Sequence, residues 1–468
     1  MTISRADKLK TLRRVGDTQR TTDTAPLPGA AAPAPVLMAA DVLDSTVLKL
    51  VEEPRTIEAT RIPQSFIADL VLKTLYFGGV MQGKQVAEAV RLHFSGVIEP
   101  VLRTLKVDHM LEVMGGSSLN PASYQYTVTN KGGVRARELL ERNRYVGPCP
   151  VALRHYVEIV AAQAKIRTLV KEADVRRAMA GLILSDEVIQ RVGPAVNSHE
   201  SMFIFGPPGN GKTTIAKAIG TGLLPGNVMI PHAIYEDGQI IKVFDPETHQ
   251  AIDGERSQLA DQDRLDKRWM RCNLPVVITG GELTLSDLDL GWNDAVRFYE
   301  APLQMKANGG LLLIDDFGRQ RMSPMDLLNR WIVPLEERLD FLTFHTGKKF
   351  VIPFEALIVF STNLDPKSLV DEAFLRRISH KLSVQNPTGE QYSEIFRAVC
   401  KARGIEFEPK VFKYYVRKYL LDTDRPLRAC HARDILKQIA NFAIYQDKTP
   451  AMTMELIDLA ASSYFSEI

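Results

Sequence analysis

The sequence predicts an α/β protein. A doubly wound parallel sheet is followed by a C-terminal helical region and preceded by a smaller α+β domain of winged-helix order. Three observations carry this. Between residues 201 and 385, four short apolar runs (MFIF, VVIT, GLLLI and LIVFST) alternate with helical segments. That is the pattern of buried parallel strands with helices on both faces. From 386 to 468 apolar residues recur at helical spacing, with breaks at Pro409 and around DTDRP. Between 61 and 147, three helical segments precede two alternating runs joined by the turn-rich GGSSLNPA.

Taken in order, residues 1–50 are expected to be a mostly disordered tail. TTDTAPLPGAAAPAPV is rich in Ala, Pro and Thr and has little to bury. A short helix is expected near DVLDSTVLKLVEE. Residues 51–147 form the winged-helix-like domain. IPQSFIADLVLKTLYFGG is its first helix, stopped at Gly78-Gly79, and GKQVAEAVRL its second. SGVIEPVLRTLKVDHM is its third, with Ser95 as N-cap. The runs MLEVMGG and SYQYTVT make the hairpin, and KGGVRARELLERNRY a closing helix. GPCPV marks a boundary. Residues 148–195 read as a helical linker packed on the next domain, with two helices within VRRAMAGLILSDEVIQRVGPAVNS. The parallel-sheet domain spans 196–385, and the helical domain 386–468.

Composition excludes several classes. The 468 residues include 58 Lys+Arg and 56 Asp+Glu, a net charge of +2, so no global charge marks a nucleic-acid or membrane binder. No apolar run approaches the roughly 20 residues that span a bilayer. The basic N-terminus has no apolar segment after it, so no secretory signal is expected. Cys149, Cys272, Cys400 and Cys430 form no CxxC pair. They read as reduced thiols of a cytoplasmic protein, without a metal site.

The chemistry sits in GPPGNGKTT. Gly206, Gly211, Lys212 and Thr213 fit G-x-x-x-x-G-K-[ST], after the strand MFIF and before a helix. Such a loop curls main-chain N–H groups around an anion, and the helix N-terminus adds its dipole. Gly206, Pro207, Pro208, Gly209, Asn210, Gly211, Lys212, Thr213 and Thr214 are therefore the candidate nucleotide contacts. Lys212 is placed for the β- and γ-phosphates and Thr213 for Mg²⁺. GGLLLIDDFG then ends an apolar strand in Asp315 and Asp316. Asp315 is the second candidate for the metal, and Asp316 for polarising a water. Asn363, ending EALIVFSTN, can orient that water. Arg376, Arg377 and Arg433 follow in order.

At these positions the sequence resembles the AAA+ ATPase family. GPPGNGKT corresponds to Walker A, LLLIDDFG to Walker B, VFSTN to sensor one, AFLRRI to the arginine-finger region and CHARDIL to sensor two. The resemblance covers about residues 196–465. It implies a P-loop ATPase core, a helical lid at 386–468, ATP and Mg²⁺ as ligands, and a homo-oligomeric ring, commonly a hexamer. In such rings an arginine of one subunit completes the next subunit's site. Arg377 is the first choice for that finger and Arg376 the second; Arg433 is the choice for sensor two, with Arg428 as runner-up. The family usually has Glu where Asp316 stands. Aspartate is about 1.5 Å shorter, so hydrolysis could be slower or assisted by Glu282 or Glu300. The approach APLQMKANGG and the hairpin LDFLTFHTGKKFVIPF resemble MoxR-type chaperones and enhancer-dependent activators, although GAFTGA is absent. Lys348 and Lys349 near the hairpin tip are candidates for touching a substrate.

The leading expectation is an oligomeric ATPase that remodels an unidentified protein partner. Two alternatives stay open. One is a regulator binding DNA through residues 61–147, where eleven basic side chains face seven acidic ones, a weak excess against a phosphate backbone. The other is a nucleotide-gated scaffold with little turnover.

Overall fold

The computed structural model describes residues 45–115, 120–166, 169–224, 226–252, 264–369 and 372–466. Most of the expected 1–50 tail lies outside them. Its last turn is helix α1 (Ser45–Leu50), which buries Val47 against the middle of the chain. The N-terminal unit follows: α2 (Gln64–Gly78), β1 (Met81–Gln82), α3 (Gly83–Val90), α4 (Glu99–Val107), β2 (Leu111–Gly115), β3 (Gln125–Val128) and α5 (Asn130–Arg142). The three strands pair antiparallel in the order β1-β3-β2. The cap before α4 is His93, whose Nδ1 accepts the Gly96 N–H at 3.3 Å, and not Ser95. A wide turn, Phe94–Ile98, leads into the helix because Pro100 has no N–H to bond back.

Next come β4 (Val151–Ala152), α6 (Leu153–Ala164), α7 (Glu172–Ala178), α8 (Asp186–Ser198), β5 (Met202–Phe205) and α9 (Lys212–Gly222). Between α9 and the next strand of the main sheet lie β6 (Asn227–Pro231), β7 (Ala233–Glu236), β8 (Gln239–Lys242) and β9 (Trp269–Asn273). The β7–β8 turn is Asp237-Gly238, both at positive φ (50° and 80°), as a two-residue hairpin requires. Then follow β10 (Val276–Thr279), β11 (Gly291–Asn293), β12 (Phe298–Glu300), α10 (Leu303–Lys306), β13 (Leu311–Ile314), α11 (Pro324–Glu337), β14 (Leu339–Thr343), β15 (Lys349–Pro353), β16 (Leu357–Thr362), α12 (Pro366–Leu369), α13 (Glu372–Arg377) and β17 (His380–Ser383). The chain closes with α14 (Gly389–Ala402), α15 (Pro409–Tyr415), α16 (Ala429–Tyr445) and α17 (Met454–Tyr464).

The main sheet is parallel, in the order β10-β13-β16-β5-β17. Alternate residues face opposite ways. Ile204, Leu311, Leu313, Leu357 and Val359 pack on α8 and α9. Phe203, Leu312, Ile314, Ile358 and Phe360 pack on Trp331 of α11 and on Phe317. Both faces are buried, so the sheet is doubly wound. The four C-terminal helices enclose a core of their own, around Phe396, Tyr415, Ile435 and Ile439.

A second five-stranded sheet, β11-β12-β8-β7-β4, assembles segments far apart in sequence. The 148–195 stretch consequently splits: β4 and α6 join this sheet's core, while α7 and α8 join the main sheet's. The N-terminal unit shares a core with the second sheet through Cys149, Ala233 and Ile240. Among the described residues no helix is long and apolar enough to cross a membrane.

Candidate active site

The site forms where β5 ends. Gly206 takes φ 139°, and a Cβ there would sit 2.2 Å from the Val384 carbonyl oxygen. Gly209 takes φ 84°, with the same imaginary atom 2.4 Å from Cys430 Sγ. Only glycine fits this turn without strain. The chain then enters α9 with Lys212 as its first residue.

Lys212 is 6% exposed. Its Nζ donates to Gly206 O and Pro207 O, both at 2.9 Å, and to Asn363 Oδ1 at 2.6 Å. Burial pushes its pKa down, and the nearby Asp315 and Asp316 push it back up. Because β16 runs between β13 and β5, the residue just after β16 falls between the loop and the Asp pair. Asn363 uses both ends of its amide there, since its Nδ2 donates to Asp316 Oδ1 at 2.9 Å. Thr213 Oγ1 donates to Asp315 Oδ2 at 2.8 Å. Loop, strand end and acid pair are thus one connected network.

Asp316 has φ 48°. Asp and Asn enter this left-handed region more readily than longer side chains. The short acid in place of Glu therefore suits the local backbone. Glu282, just past β10, receives the Gly280 N–H at 2.9 Å. Main-chain hydrogen bonds hold its carboxyl below the usual range. Glu300 lies on the other sheet, ion-paired with Lys242 at 3.3 Å and Lys306 at 4.0 Å.

The helical domain docks on the loop. Cys430 N–H donates to Gly209 O at 2.8 Å, and Ala429 N–H to Asn210 Oδ1 at 3.2 Å. Asn210 Nδ2 donates to Asn386 Oδ1 at 2.8 Å. Neither Asn386 nor Cys430 carries a sequence signal of its own; a contact across more than 170 residues has no local pattern. The arginines divide. Arg428 precedes the first turn of α16, its Cβ 3.9 Å from the place of a Cβ on Gly209. Its Nε is buried with no hydrogen-bond partner among the described residues. Arg433 points elsewhere: its Nε meets Asp434 Oδ1 at 2.9 Å and its side chain is 63% exposed. Arg377 Nε meets Glu336 Oε1 at 2.6 Å. Its carbonyl accepts the Ser201 hydroxyl at the start of β5, the end opposite Gly206. Arg376 is exposed. Residues 206–213, Asp315, Asp316 and Asn363 are therefore brought together, while Arg376, Arg377 and Arg433 are not joined to them. Thr214 and Pro208 are exposed at the rim. At the hairpin tip, Lys348 is paired with Glu236 at 3.1 Å and Asp237 at 3.3 Å.

No group of three or more His, Cys, Asp or Glu forms a metal cage among the described residues. Thr213 and Asp315 offer one hydroxyl and one carboxylate. That set fits Mg²⁺, which takes one or two protein oxygens and completes its shell with phosphate and water.

A family model described as a domain of unknown function (DUF8689) matches residues 388–463, the helical domain. None of the curated proteins compared with the chain matches it. Among solved structures, NtrX from Brucella abortus is 14% identical over 64% of this chain and 59% of that one, with TM-score 0.37. NtrX in complex with ADP is 12% identical over 72% and 62%, with TM-score 0.38. The Thermotoga maritima RuvB Holliday junction branch migration motor is 14% identical over 60% and 70%, with TM-score 0.35. The chain thus spans less than two thirds of the NtrX chains' length. Likeness at this level assigns no activity.

Proposed function

We propose that the chain is a magnesium-dependent ATPase of the AAA+ type that works as a homo-oligomer to remodel a macromolecular partner. The observation that carries this reading is the unbroken series Lys212–Asn363–Asp316 beside Thr213–Asp315. Lys212 would offset phosphate charge. Asp316 has Oδ1 engaged by Asn363, so Oδ2 is the atom to accept a proton from an attacking water. Bound at Thr213 and Asp315, Mg²⁺ would neutralise charge on the transferred phosphoryl. Arg428 would reach the same charge from the lid, in preference to Arg433. A finger from a neighbouring copy would be Arg376 or Arg377; Arg376 is free of the Glu336 pairing that holds Arg377.

The experiment is phosphate release measured against oligomeric state. Asp316→Asn should keep nucleotide affinity and lower turnover by at least about 100-fold. Wild-type turnover in that variant would reject the role of Asp316. Arg428→Ala should cost more turnover than Arg433→Ala, since only the former borders the loop. The reverse order would restore Arg433 as the lid arginine.

For the N-terminal unit, a protein-docking role is favoured over DNA. Arg103 is paired with Glu99 at 3.0 Å, Lys84 with Glu88 at 3.6 Å and Arg135 with Glu138 at 3.3 Å. Cations already neutralised within the chain add little to phosphate binding. A salt-dependent gel shift with the full chain tests this.

A further inference from the structure

Gln320 closes the turn that carries the acid pair. Its Oε1 accepts the Gly318 N–H at 2.8 Å. Its Nε2 lies 2.9 Å from Asp315 O, 3.2 Å from Asp316 O and 3.4 Å from Gly280 O. The same amide therefore joins both ends of the 315–318 turn and pins that turn to the end of β10. The turn needs such a tie. Asp316 is held at φ 48°, a region that residues with a Cβ leave when nothing opposes it. Two main-chain bonds help: Phe317 N–H to Ser361 O at 2.7 Å and Arg319 N–H to Asp316 O at 3.0 Å. Neither reaches the Asp315 carbonyl. Without the amide, the Asp315 carbonyl would lose its partner and the Asp316 carbonyl would keep only the Arg319 N–H, so the 315–316 peptide could turn toward water. The Asp316 carboxylate would then swing away from Asn363.

We infer that Gln320 is a positioning residue, whose amide fixes Asp316 in its left-handed conformation and so aims the carboxylate beside Asn363. The inference rests on the ATPase reading of the same site. Glutamine suits the task because one side chain supplies an acceptor for Gly318 and donors for the two carbonyls. Glutamate would keep the first contact and turn lone pairs toward the second.

The test uses the full-length oligomer with Gln320→Ala and Gln320→Glu. In both, kcat should fall roughly 10- to 100-fold, the loss expected for a misplaced catalytic group. KM and the affinity for a fluorescent ADP should stay at wild-type values, and the thermal midpoint should move by only a few degrees. Added to Asp316→Asn, Gln320→Ala should cost no further turnover, because the group it positions is already disabled. Gln320→Glu retains the Gly318 contact and serves where the alanine variant folds poorly. A wild-type kcat in both variants, beside normal wild-type turnover, overturns this inference alone. So does a fall in ADP affinity as large as the fall in kcat, which would mark a merely structural role. A wild-type protein with no turnover overturns the ATPase reading and this inference with it.

Discussion

Lys212→Ala should weaken nucleotide binding at the loop, lowering the affinity for Mg-ATP by roughly 10²–10⁴-fold, as expected from losing two charge-assisted hydrogen bonds. The argument is geometric. The ammonium is buried, and its three acceptors are two loop carbonyls and the Asn363 amide oxygen. No other cation among the described residues forms a hydrogen bond or ion pair with those groups. A phosphate entering the turn meets main-chain N–H groups and this charge, with Arg428 bordering the loop at Gly209 as the second cation. The substitution also removes the donor that orients Asn363, so Asp316 loses its aligned neighbour indirectly. Calorimetric titration with ATP and ADP, with and without magnesium, checks the result. Wild-type affinity in the variant would remove the basis for an ATPase.

The site was legible in the sequence where its chemistry is local. Gly206 to Thr213 are consecutive, and their strand, turn and helix follow from apolar pattern and glycine spacing alone. Asp315 directly follows an apolar run and Asn363 follows one after Ser361 and Thr362, so the C-terminal edge of the sheet could be read from the strands themselves. The parts that stayed hidden depend on where a helix begins or on contacts far away in the chain. Arg428 and Arg433 lie five positions apart, and helical periodicity fits a start on either side of them. The choice falls to the Cys430 N–H bonding to Gly209 O, which fixes Ala429 as the first helical residue. Arg377 is engaged by Glu336, a residue of another helix. The segment 230–252 reads as strand-rich with a hairpin turn at EDGQ, which is the β7–β8 pair, but the second sheet as a whole stayed hidden for a related reason. Its strands are only two to four residues long, and β4 pairs with β7 across some eighty residues of chain. A two-residue strand has no alternation to read; its partner defines it.

The second large effect is structural and concerns that hidden sheet. Asp266→Ala should destabilise the N-terminal unit and the second sheet by about 3–5 kcal/mol, the usual result of breaking a buried pair from one side. Arg268 is 1% and Asp266 0% exposed at the side chain, and they meet at 2.8 Å. Asp266 also receives the Arg268 main-chain N–H and Nε at 3.0 Å. The remaining Arg268 donor, Nη1, spans two segments, reaching Thr60 O at 3.3 Å and Pro150 O at 3.2 Å. One guanidinium thereby fastens the entry to α2, the residue before β4 and the strand β9 region together. Removing the carboxylate leaves that buried cation with two carbonyl acceptors and no counter-charge, so the cost falls on the junction rather than on the parallel sheet. Denaturant unfolding followed by hydrogen exchange locates the loss. Protection should drop at residues 151–156 and 233–242 and persist in α14 to α17, whose core is separate. Replacing both partners, as in Asp266→Leu with Arg268→Met, should recover most of the stability, because no buried charge is then left unpaired. If Asp266→Ala alone leaves protection at 151–156 unchanged, the pair is not what joins the N-terminal unit to the second sheet.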